Sequence, residues 1–73
     1  MEKITIKSEY ITLGQFLKYV GIIDCGSYAK QFLLEKKVLI NNEQDQRRGR
    51  KIYPGDIVEI NKQRYEVDKV VSE

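Results

Sequence analysis

Gly26 to Asn42 reads Gly-Ser-Tyr-Ala-Lys-Gln-Phe-Leu-Leu-Glu-Lys-Lys-Val-Leu-Ile-Asn-Asn, and this pattern predicts a short amphipathic helix that runs directly into a strand. Ser27 is the predicted N-cap, because its hydroxyl can accept a hydrogen bond from a free amide of the first turn. Ala29, Phe32 and Leu33 recur at helical spacing and give the helix one apolar stripe. We therefore expect this stripe to face the core.

The C-terminal end of this helix carries two lysines and no glycine. Lys36 and Lys37 fall in the last turn, where cations favour the negative end of the helix dipole. Val38 to Ile40 follows as a strand-like apolar run, and Asn41-Asn42 is a turn signal. Because glycine is the usual helix terminator, we expect Lys36 or Lys37 to take a left-handed or otherwise non-helical conformation at the bend.

The segment before Gly26 predicts a strand and another helix. Lys3 to Lys7 alternates polar and apolar residues, as a half-buried strand does. Thr12 and Gln15 fit a capping box, in which Thr12 caps the helix and Gln15 reaches back. Gly21 is placed to end this helix. One apolar helix face is formed by Leu13, Phe16, Leu17 and Val20.

The segment after Asn42 predicts a loop, a tight turn and further strands. Pro54 presets the backbone angle of the turn, and Gly55 supplies its positive φ. The other predicted features are a surface loop over 43–49, a brief strand over 51–53, a strand over 57–60, a hairpin loop over 61–63 and a strand over 64–71.

The predicted element order is β-α-α-β-(β)-β-β. This order indicates an α+β fold with two adjacent helices packed on a small, mostly antiparallel sheet. The predicted buried residues include Phe16, Leu17, Phe32, Leu33, Val38 and Ile40.

Length and composition narrow the class of protein. The 73 residues are 41% hydrophobic and 33% charged, which is typical of one small folded domain. We expect no membrane segment and no signal peptide, because no apolar run approaches ~20 residues and no hydrophobic leader is evident. Cys25 is the single cysteine, which favours a reducing cytoplasm. With one cysteine and no histidine, the usual zinc sites with four Cys or His ligands are excluded. Without a nucleophile constellation, neither an enzyme nor a cofactor is expected.

Positive charge is concentrated in one place. Net charge is +2, from 13 basic and 11 acidic residues. Four basic residues lie within five positions that contain no acid, namely Arg47, Arg48, Arg50 and Lys51. The other nine basic residues and the 11 acidic residues leave a net charge of −2, so the basic character lies largely in this loop. Such a loop favours a polyanionic partner, and arginine forks match phosphate oxygens. The alternative is a solvated loop that keeps the domain soluble.

Several residues of these elements occur in a characteristic order. They are Leu13, Phe16-Leu17, Ser27, Ala29-Lys30, Phe32-Leu33-Leu34, Val38, Ile40-Asn41 and Gly55-Asp56-Ile57-Val58. This layout resembles the S4 domain, a small RNA-binding module found in a ribosomal protein, pseudouridine synthases, a tRNA synthetase and heat-shock ribosome-binding proteins. The resemblance covers residues 12–60. It implies the S4-like (αL) RNA-binding fold, with residues 1–73 as a single domain.

Two segments carry a narrower resemblance. Ile11 to Lys18, together with Arg47 to Lys51, looks like the YaaA-type stand-alone S4-like proteins of bacteria. This implies an RNA-binding protein with no attached catalytic domain. The S4 family often has arginine at the positions of Thr12 and Gly26, so the resemblance implies that recognition here depends on the 47–51 cluster. Asn42 stands where the family has a turn glycine, and asparagine tolerates left-handed backbone.

The predicted RNA-binding surface joins this cluster to the second helix. Its residues are Ser27, Lys30, Lys36, Lys37, Arg47, Arg48, Arg50 and Lys51. A helix N-terminus near Ser27 offers free amides to a phosphate, whereas the alternative is a plain cap with ordinary surface lysines. The expected partner is structured RNA, either ribosomal RNA or a ribosome-assembly intermediate, bound by a monomer that takes no small-molecule substrate. The competing hypothesis is a protein-interaction adaptor whose basic loop meets an acidic partner.

The tyrosines and the cysteine have alternative interpretations. The tyrosines include candidates for base stacking, although half-buried packing is favoured for each of Tyr10, Tyr19, Tyr28, Tyr53 and Tyr65. Cys25 lies near a helix N-terminus, where the pKa of a thiol can fall. Because no basic partner or second cysteine accompanies it, an inert role is favoured for Cys25.

Overall fold

The computed structural model describes residues 1–70, so Val71, the end of the last predicted strand, lies outside the described residues. Two helices and seven strands occur in this part of the chain. The helices are α1 (Leu13–Tyr19) and α2 (Ala29–Glu35), and the strands are β1 (Glu2–Ile6), β2 (Ile11–Thr12), β3 (Val38–Ile40), β4 (Glu43–Gln44), β5 (Lys51–Ile52), β6 (Ile57–Ile60) and β7 (Gln63–Lys69). None of the helices within residues 1–70 is long and apolar enough to cross a membrane.

The strands form one five-stranded sheet and one small ribbon. The sheet has the order β1-β7-β6-β3-β4, with β1 parallel to β7 and the other pairs antiparallel. The ribbon is the antiparallel pair β2–β5. These observations confirm the α+β prediction. The short strands β2 and β4 were not predicted, because two residues are too few to show a pattern and only their partners define them.

Two hairpins of the sheet have two-residue turns with left-handed backbone. Asn41 and Asn42 join β3 to β4 with φ of 52° and 69°. Asn61 and Lys62 join β6 to β7 with φ of 51° and 68°. Positive φ at both central residues is the type I′ arrangement, whose twist matches that of the strands. The predicted left-handed Asn42 is confirmed, while Gln63 belongs to β7 and not to the hairpin loop.

The bend after α2 is made without left-handed backbone. Lys36 has φ −119° and ψ 141°, which is ordinary extended geometry. Its amide still donates to the Phe32 carbonyl at 2.8 Å, so the last helical hydrogen bond is kept. The prediction of a non-helical residue at this bend is therefore confirmed, but its left-handed version is not. The lysine that does occupy left-handed backbone is Lys62.

We predict opposite effects for glycine at these two lysines. Lys62→Gly should raise the free energy of unfolding by about 0.5 to 1 kcal/mol, because it relieves a left-handed penalty of roughly 1–2 kcal/mol at the expense of some chain entropy. Lys36→Gly should lower it by about 0.5 to 1 kcal/mol, because only the entropic cost remains. Thermal melts of both variants test this, and a higher melting temperature for Lys36→Gly would contradict it.

Helix α1 packs on the sheet through an aromatic contact. The Phe16 ring is fully buried and meets the Tyr65 ring edge-on, with centroids 5.4 Å apart. The predicted capping box at Thr12 and Gln15 is present, and Gly21 ends the helix region with φ 81°. The buried core comprises Ile4, Ile6, Ile11, Leu13, Phe16, Leu17, Ile23, Ala29, Leu33, Val38, Ile40, Ile52, Val58, Ile60, Tyr65 and Val67.

Helix α2 differs from its prediction at two residues. A turn of 3₁₀ helix over Gly26–Tyr28 precedes α2, so the helix begins two residues after Ser27. The prediction that Ser27 is the N-cap is wrong, because its hydroxyl lies 3.1 Å from the Cys25 sulfur and caps no amide. Phe32 was predicted to be buried but is only half-buried, since the short helix buries Ala29 and its i+4 neighbour and leaves Phe32 at the margin of the core.

We predict that the two phenylalanines differ in their contribution to stability. Phe16→Ala should lower the free energy of unfolding by about 3 to 5 kcal/mol, much of what a domain of this size has. Phe32→Ala should lower it by about 1 to 2 kcal/mol, because a half-exposed ring loses only part of the burial energy. Urea denaturation of both variants tests the difference. Equal losses would show that Phe32 belongs to the core.

Candidate nucleic-acid interface

Residues 45–51, here called the arginine loop, are held against the start of α1 by backbone hydrogen bonds. The Leu13 amide donates to the Arg50 carbonyl at 2.8 Å, and the Gly14 amide donates to the Arg48 carbonyl at 2.9 Å. These amides lie in the first turn of a helix, where no helical partner exists. The pairing of Thr12 with Lys51 in the β2–β5 ribbon continues directly into these bonds. The loop is therefore an ordered extension of the ribbon.

The arginine loop also contacts α2. A Cβ at Gly14 would lie 3.4 Å from the Arg48 carbonyl oxygen and 3.5 Å from the Ala29 Cβ, so the absence of a side chain lets the loop and both helices meet. Further along α2, the Gln46 side-chain amide donates to the Leu33 carbonyl at 3.2 Å. The loop thus runs beside α2, and its residue Arg48 lies next to the N-terminal turn of that helix.

An acid at the start of the loop pairs with two of its arginines. One Asp45 oxygen accepts from the Arg47 backbone amide at 2.8 Å and from its Nε at 3.1 Å. The other accepts from Arg47 Nη2 at 2.8 Å and from Arg50 Nη1 at 2.9 Å. The Asp45 side chain is only 8% exposed, and its hydrogen bonds with Arg47 hold its pKa well below the usual range. The cluster 47–51 contains no acid of its own, but Asp45 lies two residues before it and pairs with two of its arginines.

The loop remains cationic and accessible. With one carboxylate and four cations, its net charge is +3. Arg48 and Lys51 are exposed, and within residues 1–70 neither forms a salt bridge. The Arg47 side chain is 74% exposed, so the guanidinium that Asp45 orients still faces solvent. Arginine has five N–H donors in a rigid fork, of which Arg47 uses two side-chain groups on Asp45. The loop therefore presents oriented donors to an anion.

The predicted residues outside the loop lie at two different ends of α2. Ser27 and Lys30 are exposed at the N-terminal end, where Ala29 and Arg48 both approach Gly14. Lys36 and Lys37 are exposed just after the C-terminal end. Lys37 borders a groove that is lined by Leu39, Glu59, Asn61 and Lys62. Lys30 follows Ala29 at the end of α2 that Arg48 approaches. Lys37 precedes Val38, whose carbonyl accepts from the Asp45 amide at 3.1 Å, so the two ends of α2 adjoin different parts of the loop.

The tyrosines and the cysteine separate into different environments. Tyr65 is buried, as packing predicts, whereas Tyr19, Tyr28, Tyr10 and Tyr53 are exposed. Cys25 is also exposed, and a hydrogen bond with Ser27 lowers the pKa of its thiol. Within residues 1–70 no group of three histidine, cysteine or acidic side chains could hold a metal ion. The proximity of Tyr10 and Tyr53 was missed, because only strand pairing brings such distant positions together.

Comparison with known proteins agrees with the fold. The sequence profile of the S4 domain matches residues 4–68, which is most of the chain. The chain therefore belongs to the S4 domain family, a family of RNA-binding modules. One relative is the Probable ribosome maturation protein RlbA of Bacillus subtilis (strain 168), which is 60% identical over 57 residues. That alignment covers 78% of this chain and 80% of the relative.

We predict that Asp45 stabilises the fold in a pH-dependent way. Asp45→Asn should lower the free energy of unfolding at neutral pH by about 1 kcal/mol, because charge-assisted bonds to two arginines are weakened. The pKa of Asp45 is lowered in the folded state, so its stabilisation is present above the unfolded-state pKa of about 3.9 and is lost as pH falls towards the folded-state pKa. The stability difference between parent and variant should therefore shrink in acid.

Urea denaturation from neutral pH down to about pH 2 measures this difference. Asp68→Asn is the matched control, because it removes an exposed carboxylate that lies 3.9 Å from Lys3. This control should change stability little, as expected for an exposed pair. A constant difference between Asp45→Asn and the parent down to the lowest pH would contradict the assigned role of Asp45.

Proposed function

We propose that this protein binds structured RNA through the arginine loop and the adjoining N-terminal end of α2, and that it acts on ribosomal RNA or a ribosome-assembly intermediate. The observation that supports this most is the ordered loop, whose backbone is bonded to α1 while its cations face solvent. A loop held in one shape can match the spacing of phosphates on a folded RNA. The protein acts as a non-catalytic binding module in the cytoplasm, where ribosomes are assembled.

The chemistry of the loop suits phosphate better than it suits a general acidic surface. Arginine forks bind phosphate oxygens in pairs, with defined geometry. Asp45 orients Arg47 and Arg50 before any ligand arrives, so less side-chain freedom is lost on binding. Double-stranded RNA is read mainly through its shape and its backbone. A rigid cationic loop beside a helix end supplies contacts of that kind.

The ribosomal target rests on the relative and on the charge distribution. The relative is named as a probable ribosome maturation protein, and the alignment with it includes most of both chains. The whole chain carries a net charge of only +2, so long-range attraction to nucleic acid in general is weak. Binding then depends on local contacts at the loop, which favours a particular folded RNA over bulk nucleic acid.

We predict that removing two exposed cations of this surface weakens RNA binding while the fold is retained. Arg48→Ala/Lys30→Ala should reduce affinity for a short hairpin RNA and for purified ribosomal subunits. The slope of log affinity against log salt should flatten by about 1.4 to 1.8 if both residues contact phosphate. These positions are preferable to Arg47 and Arg50, because removing either of those would deprive Asp45 of one of its two arginine partners.

Lys7→Ala/Lys69→Ala is the matched control, because it removes the same charge from two other exposed positions. It should change the salt slope little. Lys36→Ala/Lys37→Ala tests whether the other end of α2 belongs to the same surface. An unchanged affinity and slope for Arg48→Ala/Lys30→Ala would place the site elsewhere. Binding that an acidic polypeptide displaces but RNA does not would instead favour the adaptor hypothesis.

A further inference from the structure

The outer face of the β2–β5 ribbon carries a pair of exposed tyrosines. Ile11 lies opposite Ile52 in the ribbon, so the flanking residues Tyr10 and Tyr53 also come opposite each other. Successive side chains of a strand point to opposite faces. Because Ile11 and Ile52 are buried, the two tyrosines project outward. Their ring centroids are 5.7 Å apart at an interplanar angle of 46°, and the residues are 39% and 47% exposed.

Lys51 connects this tyrosine pair to the arginine loop. It shares the outer face with the tyrosines, and its ammonium lies 5.0 Å from the centre of the Tyr10 ring. A cation–π contact at an exposed site is weak. The ammonium can therefore leave the ring for a phosphate with little loss, which uncovers the ring face.

Tyr53, one of the two tyrosines, lies with three loop cations around one shallow depression. Its lining residues are Arg47, Gly49, Arg50, Lys51, Tyr53 and Asp56. The single acid in this set is already engaged, since Asp56 accepts from the Tyr53 amide at 2.8 Å and from the Asn41 side-chain amide at 3.1 Å. The depression is therefore cationic on one side and aromatic on the other.

We propose that an unpaired base of the bound RNA stacks on the Tyr10–Tyr53 pair while the adjoining arginine loop holds its phosphate. This inference rests on the proposed RNA-binding function and adds a single-stranded segment to the structured RNA. Proteins hold unpaired nucleotides by combining a cationic groove with aromatic rings on which bases stack. Such stacking tolerates any base, because every base has a π-face.

The alternative role of the two rings is to pack against each other and protect the ribbon. Packing alone does not require them to lie beside the loop cations, and it leaves large parts of both residues in water. In contrast, the tyrosine of this protein that does pack in the core, Tyr65, is buried against Phe16. The exposure and the location of the pair therefore favour a ligand.

A fluorescent hairpin RNA tests this inference. The hairpin carries a short single-stranded extension with one 2-aminopurine, and a blunt hairpin of the same stem is the comparison. The parent protein should bind the extended hairpin more tightly and should quench the 2-aminopurine. Tyr10→Leu/Tyr53→Leu should lose about 5- to 100-fold in affinity for the extended hairpin, which corresponds to one stacked base. Its affinity for the blunt hairpin should be unchanged.

Two further variants control for indirect effects. Tyr10→Phe/Tyr53→Phe keeps both rings and should retain the preference for the extension. Tyr19→Leu removes an exposed tyrosine from the C-terminal end of α1, the end opposite the loop, and should leave both affinities unchanged. Circular dichroism melts establish that each variant is folded at the assay temperature. Quenching by the parent protein gives a readout that requires no variant.

The possible failures of this inference and of the proposed function are distinct. If the parent binds both hairpins equally and does not quench the probe, the stacking inference is overturned while RNA binding stands. Equal losses on both hairpins for Tyr10→Leu/Tyr53→Leu would also overturn it. If the parent binds neither hairpin nor ribosomal subunits, the proposed function fails and the stacking inference fails with it.

Discussion

The candidate site depends on one interaction, the bonding of two arginine-loop carbonyls to the first amides of α1. Leu13 and Gly14 donate to Arg50 and Arg48, while the third amide of the turn, that of Gln15, is capped by the Thr12 hydroxyl. A helix start has no other internal partners for these groups. The same hydrogen bonds therefore complete the helix and give an irregular loop a defined position. Neither element can move without leaving backbone groups of the other unpaired.

This docking explains how a very short ribbon can persist. An isolated pair of two-residue strands is far too small to be stable in water. Here β2 runs into α1 and the arginine loop runs into β5, so the loop-to-helix bonds extend the strand pairing. Ile11 and Ile52 also bury their side chains in the core. The outer face of the ribbon is then free to carry Lys51 and exposed rings.

Asp45 sets the balance between charge and order in the loop. Its carboxylate removes one unit of the local positive charge, but it orients two guanidinium groups that would otherwise be mobile. Each arginine side chain carries about 2 kcal/mol of rotamer entropy, part of which is already lost in the free protein. The loop therefore has a lower net charge than its four cations alone would give, but two of its guanidinium groups are held in defined positions. This fits recognition of a particular phosphate arrangement better than general attraction to nucleic acid.

The sequence by itself determined the elements whose signals are local. Hydrophobic spacing located both helices, Thr12 and Gln15 defined the start of α1, and the asparagine pair marked a tight turn. The family resemblance and the cationic cluster followed from adjacent residues. These features depend on contacts within a few positions, so neighbouring residues carry enough information to predict them.

Only the tertiary structure decided how distant segments combine. Ser27 is not the N-cap of α2, because a 3₁₀ turn precedes that helix. Phe32 lies at the margin of the core, because the short helix buries its Ala29–Leu33 face instead. Lys62 takes a positive φ, because the pairing of β6 with β7 requires a two-residue hairpin turn at this position. The approach of the loop to Gly14 and the meeting of Tyr10 with Tyr53 join residues more than 30 positions apart. Strand register and helix packing create such contacts, and no local pattern encodes them.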